Sequence, residues 1–240
     1  MIGCDCEVCR STDPRDTRLR PSIALDFDDG FRVLIDTTPD LRHQALKHEL
    51  RHVDAVLFTH AHADHIMGLD DVRRYNVTSG TAMPLFGEAG TLDEIRRTFR
   101  YAFETGAPRG GGVPSLRLWP IGGPFCVGRH EVIPVPVHHG PWRVLGFRVG
   151  GFAYLTDCNA IPPASLGLVE GLDTLVLDAL RHRPHPTHFS LEQAIEMATR
   201  IGARQTWFTH IAHDLGHAVT NPLLPPGMAL AYDGLSLTVS

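Results

Sequence analysis

Hydrophobic and polar positions along this chain fall into short blocks, and the period of each block predicts its element. Ser22–Phe27 and Arg32–Asp36 alternate as strands, and the Asp-Asp-Gly turn at Asp28–Gly30 joins them as a hairpin. Thr38-Pro39-Asp40 then reads as a helix start, running to about Leu50. Asp54–Thr59 is a compact apolar strand that leads straight into His60, and helices are expected at Leu69–Asn76 and Leu92–Phe103. Gly106–Pro114 is glycine- and proline-rich and reads as a loop near the site rather than a linker. After it, Leu116–Trp119, Phe125–Val127, Glu131–Val137, Val144–Val149 and Phe152–Leu155 are expected as successive antiparallel strands. Thr174–Leu177 and Gln205–Thr209 are further strands on either side of a helix, Ser190–Ile201. Met228–Tyr232 and Leu235–Val239 flank Asp233-Gly234 as a closing hairpin. Two halves with strands inside and helices outside imply an α/β fold, an αββα sandwich forming a single domain over residues 1–240.

Composition narrows the class. At 240 residues and 43% hydrophobic content the chain can bury a sizeable core without disulfides. No run of 18 apolar residues occurs, and Met1–Cys6 lacks the basic start and apolar run of a signal peptide, so a cytoplasmic protein with no membrane partner is expected. The 22 basic residues include only one lysine, Lys47, and face 27 acids, for a net charge of −5. That balance argues against nucleic acid as a partner, while individual arginines could still hold a phosphate. Fifteen histidines are present, and three of the five cysteines lie between Cys4 and Cys9. Cysteines crowded in this way are expected as metal ligands in a reducing compartment.

The densest signal is His60-Ala61-His62-Ala63-Asp64-His65. Residues two apart in an extended segment face the same way, so His60 and His62 can share one ion while Asp64 and His65 turn toward another. One loop cannot complete two coordination spheres, and further candidates stand at later strand ends: His139, Asp157 and His210. In this order the residues resemble the metallo-β-lactamase superfamily, and the resemblance covers nearly the whole chain. It implies that His60, His62 and His139 hold one metal, that Asp64, His65 and His210 hold the other, and that Asp157 bridges both. In similar sequences the ligand directly precedes a glycine, which favours His139 over His138. His43, His48, His52, His130, His182 and His185 read as surface or helix-face residues. His188 stands before a helix start, and in phosphodiesterases of the superfamily a non-ligand histidine at this place is the proton donor to the leaving group; a capping or structural histidine is the competing reading.

Cys4-x-Cys6-x2-Cys9 supplies three thiols that can wrap one tetrahedral ion but lack a fourth ligand. Here the chain is similar to a phosphoribosyl 1,2-cyclic phosphate phosphodiesterase-like subgroup, which completes a structural zinc with a histidine three residues after the last active-site histidine. That position is His213. Cys126 and Cys158 have no partner pattern and are expected as small buried residues. Chains of the subgroup begin with a strand before the cysteines, whereas Met1 lies two residues before Gly3: either the chain starts upstream of Met1, or the first strand is missing, which would leave a sheet edge unpaired.

The resemblance implies a dinuclear hydrolase acting on a small (cyclic) phosphodiester, with two active-site divalent ions besides the structural Zn. The imidazole and carboxylate ligands suit Zn, Mn or Fe for the catalytic pair. A bridging hydroxide would attack phosphorus, Asp64 would orient it, and His188 would protonate the departing oxygen. Lactone or thioester hydrolysis and a non-catalytic carrier role in cofactor biosynthesis are the alternatives. A tRNA 3′-end nuclease is disfavoured by charge, and homodimer formation is left open.

Overall fold

The computed structural model of the protein describes residues 1–104 and 112–239. Most of the expected loop Gly106–Pro114 lies outside the described residues. The chain divides into two compact units, one of Arg20–Arg129 and one of Met1–Leu19 with His130–Ser240. No helix among the described residues is long and apolar enough to cross a membrane.

The Arg20–Arg129 unit is built on a five-stranded sheet. Its strands are Ile23–Asp26 (β1), Arg32–Ile35 (β2), Ala55–Leu57 (β3), Met83–Gly87 (β4) and Leu116–Pro120 (β5), in that spatial order. β1 and β2 form the expected antiparallel hairpin, and β2 to β5 run parallel. Parallel neighbours need crossovers, and helices supply them. They are Leu41–Lys47 (α1), Ala63–Ile66 (α2), Arg73–Ser79 (α3), Ala89–Thr98 (α4) and Arg100–Phe103 (α5). Leu34, Val56, Phe58, Leu69, Leu85 and Ile95 pack into one core with the helix faces. α1 starts later than Thr38 because the Thr38 hydroxyl accepts from the Asp40 N–H and its carbonyl from Leu41 N–H, closing a turn first. Phe125–Val127 (β6) ends the unit, and its alternation turns Cys126 outward, so this cysteine is exposed rather than buried.

The other unit carries His130–His139 (β7), Trp142–Val149 (β8), Phe152–Leu155 (β9), Thr174–Asp178 (β10), Gln205–Thr209 (β11) and Met228–Leu230 (β12). β7, β8 and β9 are antiparallel, whereas β9, β10, β11 and β12 are parallel. Helices Pro163–Leu166 (α6), Leu191–Ile201 (α7) and His217–Thr220 (α8) belong to the same unit. α7 packs Leu191, Ala194 and Ala198 into a core with Leu155, Leu177 and Phe208. Cys158 is fully buried there, as expected, and burial pushes its thiol well up.

Two strand expectations are corrected. Leu116–Trp119 is a parallel partner of β4, not the first of an antiparallel series. Met228–Leu230 pairs with β11, and Leu235–Val239 forms no strand. The Asp233 carboxylate instead accepts from the Leu19 N–H, so the turn at Asp233-Gly234 ties down the N-terminal segment rather than closing a hairpin.

Candidate metal centre

In both units candidate ligands stand at the carboxyl ends of strands, the end at which open α/β sheets present their ligand sites. In the first, Asp36 follows β2 and His60 follows β3. His62, the residue before α2, is in extended backbone, so the chain has turned helical by Asp64 and His65. The α2 turn is pinned because Thr37 N–H donates to the His65 carbonyl and Gly68 N–H to the Thr37 carbonyl. Any side chain at Gly68 would collide with the Thr38 carbonyl oxygen, 2.0 Å from where its Cβ would lie.

Hydrogen bonds fix the proton on the His60 and His65 rings. His65 Nδ1 donates to Asp36 Oδ2 at 2.8 Å. The Thr59 hydroxyl also donates to that oxygen at 2.8 Å, so its own oxygen is left to accept from His60 Nδ1 at 3.0 Å. His60 and His65 therefore carry their lone pairs on Nε2, the form in which imidazole binds a metal. The rings lie close, with centroids 4.5 Å apart for His60 and His62 and 4.2 Å for His60 and His65. Asp64 is less enclosed, with Oδ2 3.8 Å from the Arg20 guanidinium. Complete burial pushes the Asp36 carboxyl above its ordinary range, and the His65 imidazole opposes that shift.

In the second unit strand alternation separates the adjacent histidines: His138 is exposed and His139, the last residue of β7, is buried. His139 Nδ1 donates to the Thr187 carbonyl at 2.9 Å, which again leaves the lone pair on Nε2. Asp157 lies just beyond β9 and His210 just beyond β11, both at positive φ (51° and 58°). Such backbone in non-glycine residues costs of order 1–3 kcal/mol and clusters at functional sites. Asp157 Oδ1 lies 3.2 Å from His210 Nε2 and Oδ2 lies 4.0 Å from His139 Nε2, so one carboxylate faces two histidines with separate oxygens.

His188 stacks on His210 with centroids 4.7 Å apart, and its Nδ1 donates to Asp178 Oδ2 at 2.7 Å. It is not the helix cap. Ser190 caps α7 through a capping box with Gln193. His188 is held by its neighbours, since Phe189 N–H donates to the Cys158 carbonyl and Leu180 N–H to the Phe189 carbonyl. His185, expected at the surface, instead lies 5.1 Å from the His188 ring and accepts from Thr187 N–H through Nδ1, so its proton sits on Nε2. Burial pushes its pKa down. His43, His48, His52 and His182 are exposed as expected.

The orienting carboxylates Asp36 and Asp178 were absent from the sequence-derived candidates. Their signal was an acid closing an otherwise apolar strand, in Leu34-Ile35-Asp36 and Val176-Leu177-Asp178.

The cysteines converge as well. Sγ of Cys4, Cys6 and Cys9 lie 3.3, 3.4 and 3.6 Å from the same atom, His213 Nδ1. One ring nitrogen can hydrogen-bond only one of three sulfurs well, so the convergence has another cause. In a tetrahedral zinc site with ordinary bond lengths the S to N edge is about 3.6 Å, and the donor set fits it. Cys9 N–H and then the His213 ring, hydrogen-bonded to the Cys6 sulfur, lower the Cys6 thiol to about 6. Arg18 braces the same corner through the Ala212 and Leu215 carbonyls.

The Beta-lactamase superfamily domain matches residues 31–211. The fold is similar to that of a diphosphatase from the PhnP family, with a TM-score of 0.91 and 46% identity over 98% of this chain and 90% of that one. A zinc-bound PqqB from Methylobacterium extorquens, 20% identical, shares the fold at a TM-score of 0.76 over 99% of this chain and 95% of that one. Among curated relatives, an octanoyltransferase of Porphyromonas gingivalis is 36% identical over 99% of this chain and 48% of its own length, so the chain spans about half of it. The chain belongs to the metallo-β-lactamase superfamily and has its αββα fold.

Proposed function

We propose that the protein is a dinuclear metal-dependent phosphodiesterase acting on a small, cyclic or linear, phosphodiester. The observation that carries the reading is the Asp178-held His188 beside Asp157 and His210, a proton-handling histidine added to metal-ligand chemistry. The diphosphatase likeness supports phosphoryl chemistry.

In this reading His60, His62 and His139 would hold one divalent ion and Asp64, His65 and His210 a second, with the Asp157 carboxylate available to both. The fit rests on the ring protons fixed at Nδ1 of His60, His65 and His139, which leave Nε2 as ligand atoms. Zinc or manganese bound there would lower the pKa of water and screen charge on the phosphoryl oxygens. Asp64, 3.8 Å from the Arg20 guanidinium, would orient the attacking water. His188 presents Nε2 to the leaving oxygen while Asp178 fixes its tautomer and stabilises the ring as it changes charge. Cys4, Cys6, Cys9 and His213 would hold a structural zinc, tying the N-terminal segment to the chain just after His210.

A second reading, acyl thioester hydrolysis by the same centre, is favoured by the relative named for octanoyl transfer. One assay separates the two. Metal-replete protein is offered a linear aryl phosphodiester, a small cyclic phosphate, a diphosphate diester, a lactone and an acyl thioester. Phosphodiester turnover at least tenfold above the thioester supports the proposal, and the reverse order replaces it with the second reading.

A further inference from the structure

His185 stands between two prolines, in Pro184-His185-Pro186, so its backbone is restricted to extended conformations and Pro186 fixes the next φ. The loop is tied down on both sides. Arg181 donates from Nε to the Arg183 carbonyl at 3.1 Å and from Nη2 to the Pro184 carbonyl at 3.0 Å, and Asn159 donates to the Pro186 carbonyl at 3.1 Å. The half-buried ring is fixed as well, because Nδ1 accepts from the Thr187 N–H at 3.3 Å and lies 3.2 Å from the Thr187 hydroxyl. The proton is therefore on Nε2, and among the described residues no acceptor takes it. Burial, then the neighbouring His188 and Arg181 charges, keeps the ring neutral by lowering its pKa. Its centroid lies 5.1 Å from that of His188, with the planes inclined by 54°. The two neighbouring histidines are built in opposite ways. His188 Nδ1 donates to a carboxylate, which favours a charged ring, whereas His185 Nδ1 accepts from a backbone N–H that a charged ring would lose.

We propose that His185 is an oxyanion donor: its Nε2–H holds a phosphoryl oxygen of the substrate while His188 protonates the leaving oxygen. This rests on the phosphodiesterase reading and adds a residue to it. A neutral imidazole cannot hand over its only proton without becoming an anion, so His185 binds charge rather than moving a proton. A donor fixed before the substrate arrives needs no reordering, and it counts for most where the acceptor is charged. A histidine that merely braced Thr187, whose carbonyl accepts from His139 Nδ1, would need its own Nδ1 and not Nε2, and this gives the test its contrast.

Glutamine can place an amide N–H near the position of histidine Nε2, and asparagine can place an acceptor near that of Nδ1. Metal-replete wild type, H185A, H185N and H185Q are compared by kcat/KM on methyl p-nitrophenyl phosphate, methyl phenyl phosphate and an acyl glutathione thioester, with metal content measured beside each. Losing a hydrogen bond to a charged group lowers the rate by about 10- to 150-fold. That loss is expected for H185A and H185N, alike on the good and the poor phosphodiester leaving group and with full metal content, while H185Q stays within a few-fold of wild type. Rescue by asparagine rather than glutamine, rescue by neither, a loss that follows falling metal content, or a loss confined to the poor leaving group overturns the donor. If the thioester alone is cleaved and only glutamine rescues, the donor stands on a carbonyl oxygen and the phosphodiesterase reading falls. If phosphodiesters are cleaved and H185A matches wild type, the reading stands and the donor falls. Turnover of no ester by wild type overturns both.

Discussion

The Asp178 carboxylate accepts a 2.7 Å hydrogen bond from His188 Nδ1, and the same oxygen accepts from the Cys158 N–H at 2.8 Å. Asp178 is completely buried, and burial pushes its carboxyl up against the opposing pull of His188. A buried acid in this position sets which His188 nitrogen carries the proton and where the ring points.

From this relation follows the first prediction. H188A should retain its metals and lose about 10²–10⁴-fold in kcat on esters with poor leaving groups, the usual scale of general acid catalysis. D178N should lose about 10–100-fold, because it misorients rather than removes the acid. In both variants a p-nitrophenyl ester, which leaves with little protonation, should suffer less. Rates plotted against leaving-group pKa decide the matter: parallel losses on good and poor leaving groups would show that His188 is structural.

Asp157 turns one oxygen toward His139 and the other toward His210. D157A should therefore reduce metal content and turnover together, since it removes the proposed bridge. Two bound active-site metals and full activity in that variant, measured by elemental analysis beside the assay, would sink the ligand assignment.

Much of this arrangement was legible because the proposed ligands lie at the ends of strongly apolar strands. β11 was readable to the residue as Gln205–Thr209, and the β1–β2 hairpin followed from its Asp-Asp-Gly turn. β4 was not readable: Pro84 and Gly87 interrupt it, and only parallel pairing on both sides reveals it as a strand. Parallel pairing of Leu116–Pro120 was equally hidden, because a strand's period does not encode its partner's direction. Asp36 and Asp178 escaped notice for a related reason. Their role is to hold another side chain, and His65 lies 29 residues away from the first and His188 10 from the second.

Asp36 is the place to separate holding from binding. Its φ of 63° is one that asparagine also tolerates, so D36N should keep the backbone while weakening the acceptor for His65 and Thr59. Metal titration of this variant should give a Kd raised by about 10–100-fold, the usual effect of losing a partner behind a ligand. An unchanged Kd would mean that the Asp36 contact does not tune His65.

Cys6 offers a pH test in metal-free protein. Its thiol lies at about 6, against an ordinary 9.0, so the folded state favours the thiolate. The associated stabilisation is complete above pH 9 and fades as pH falls through 6, and the stability difference between wild type and C6S should shrink over that window. Alkylation should show the same midpoint, with Cys6 reacting near neutral pH, where the thiolate is already formed. A reaction midpoint near 9 would place Cys6 outside the influence of Cys9 N–H and His213.

Metal counting tests the cysteine cluster itself. If Cys4, Cys6, Cys9 and His213 enclose a zinc, the purified protein should hold three metals per chain, with one zinc resisting chelators that strip the other two. Its binding energy is folding energy, because it joins residues 204 to 209 positions apart in the sequence. C6S should therefore lose one metal and unfold at a lower temperature. Activity per folded molecule should fall less than stability, since no thiolate is assigned to the substrate; any loss would travel from His213 through the short segment to His210, which sits at a strained positive φ. At most two metals in wild type, with the same count in C6S, would show that the convergence of three sulfurs on His213 serves no ion.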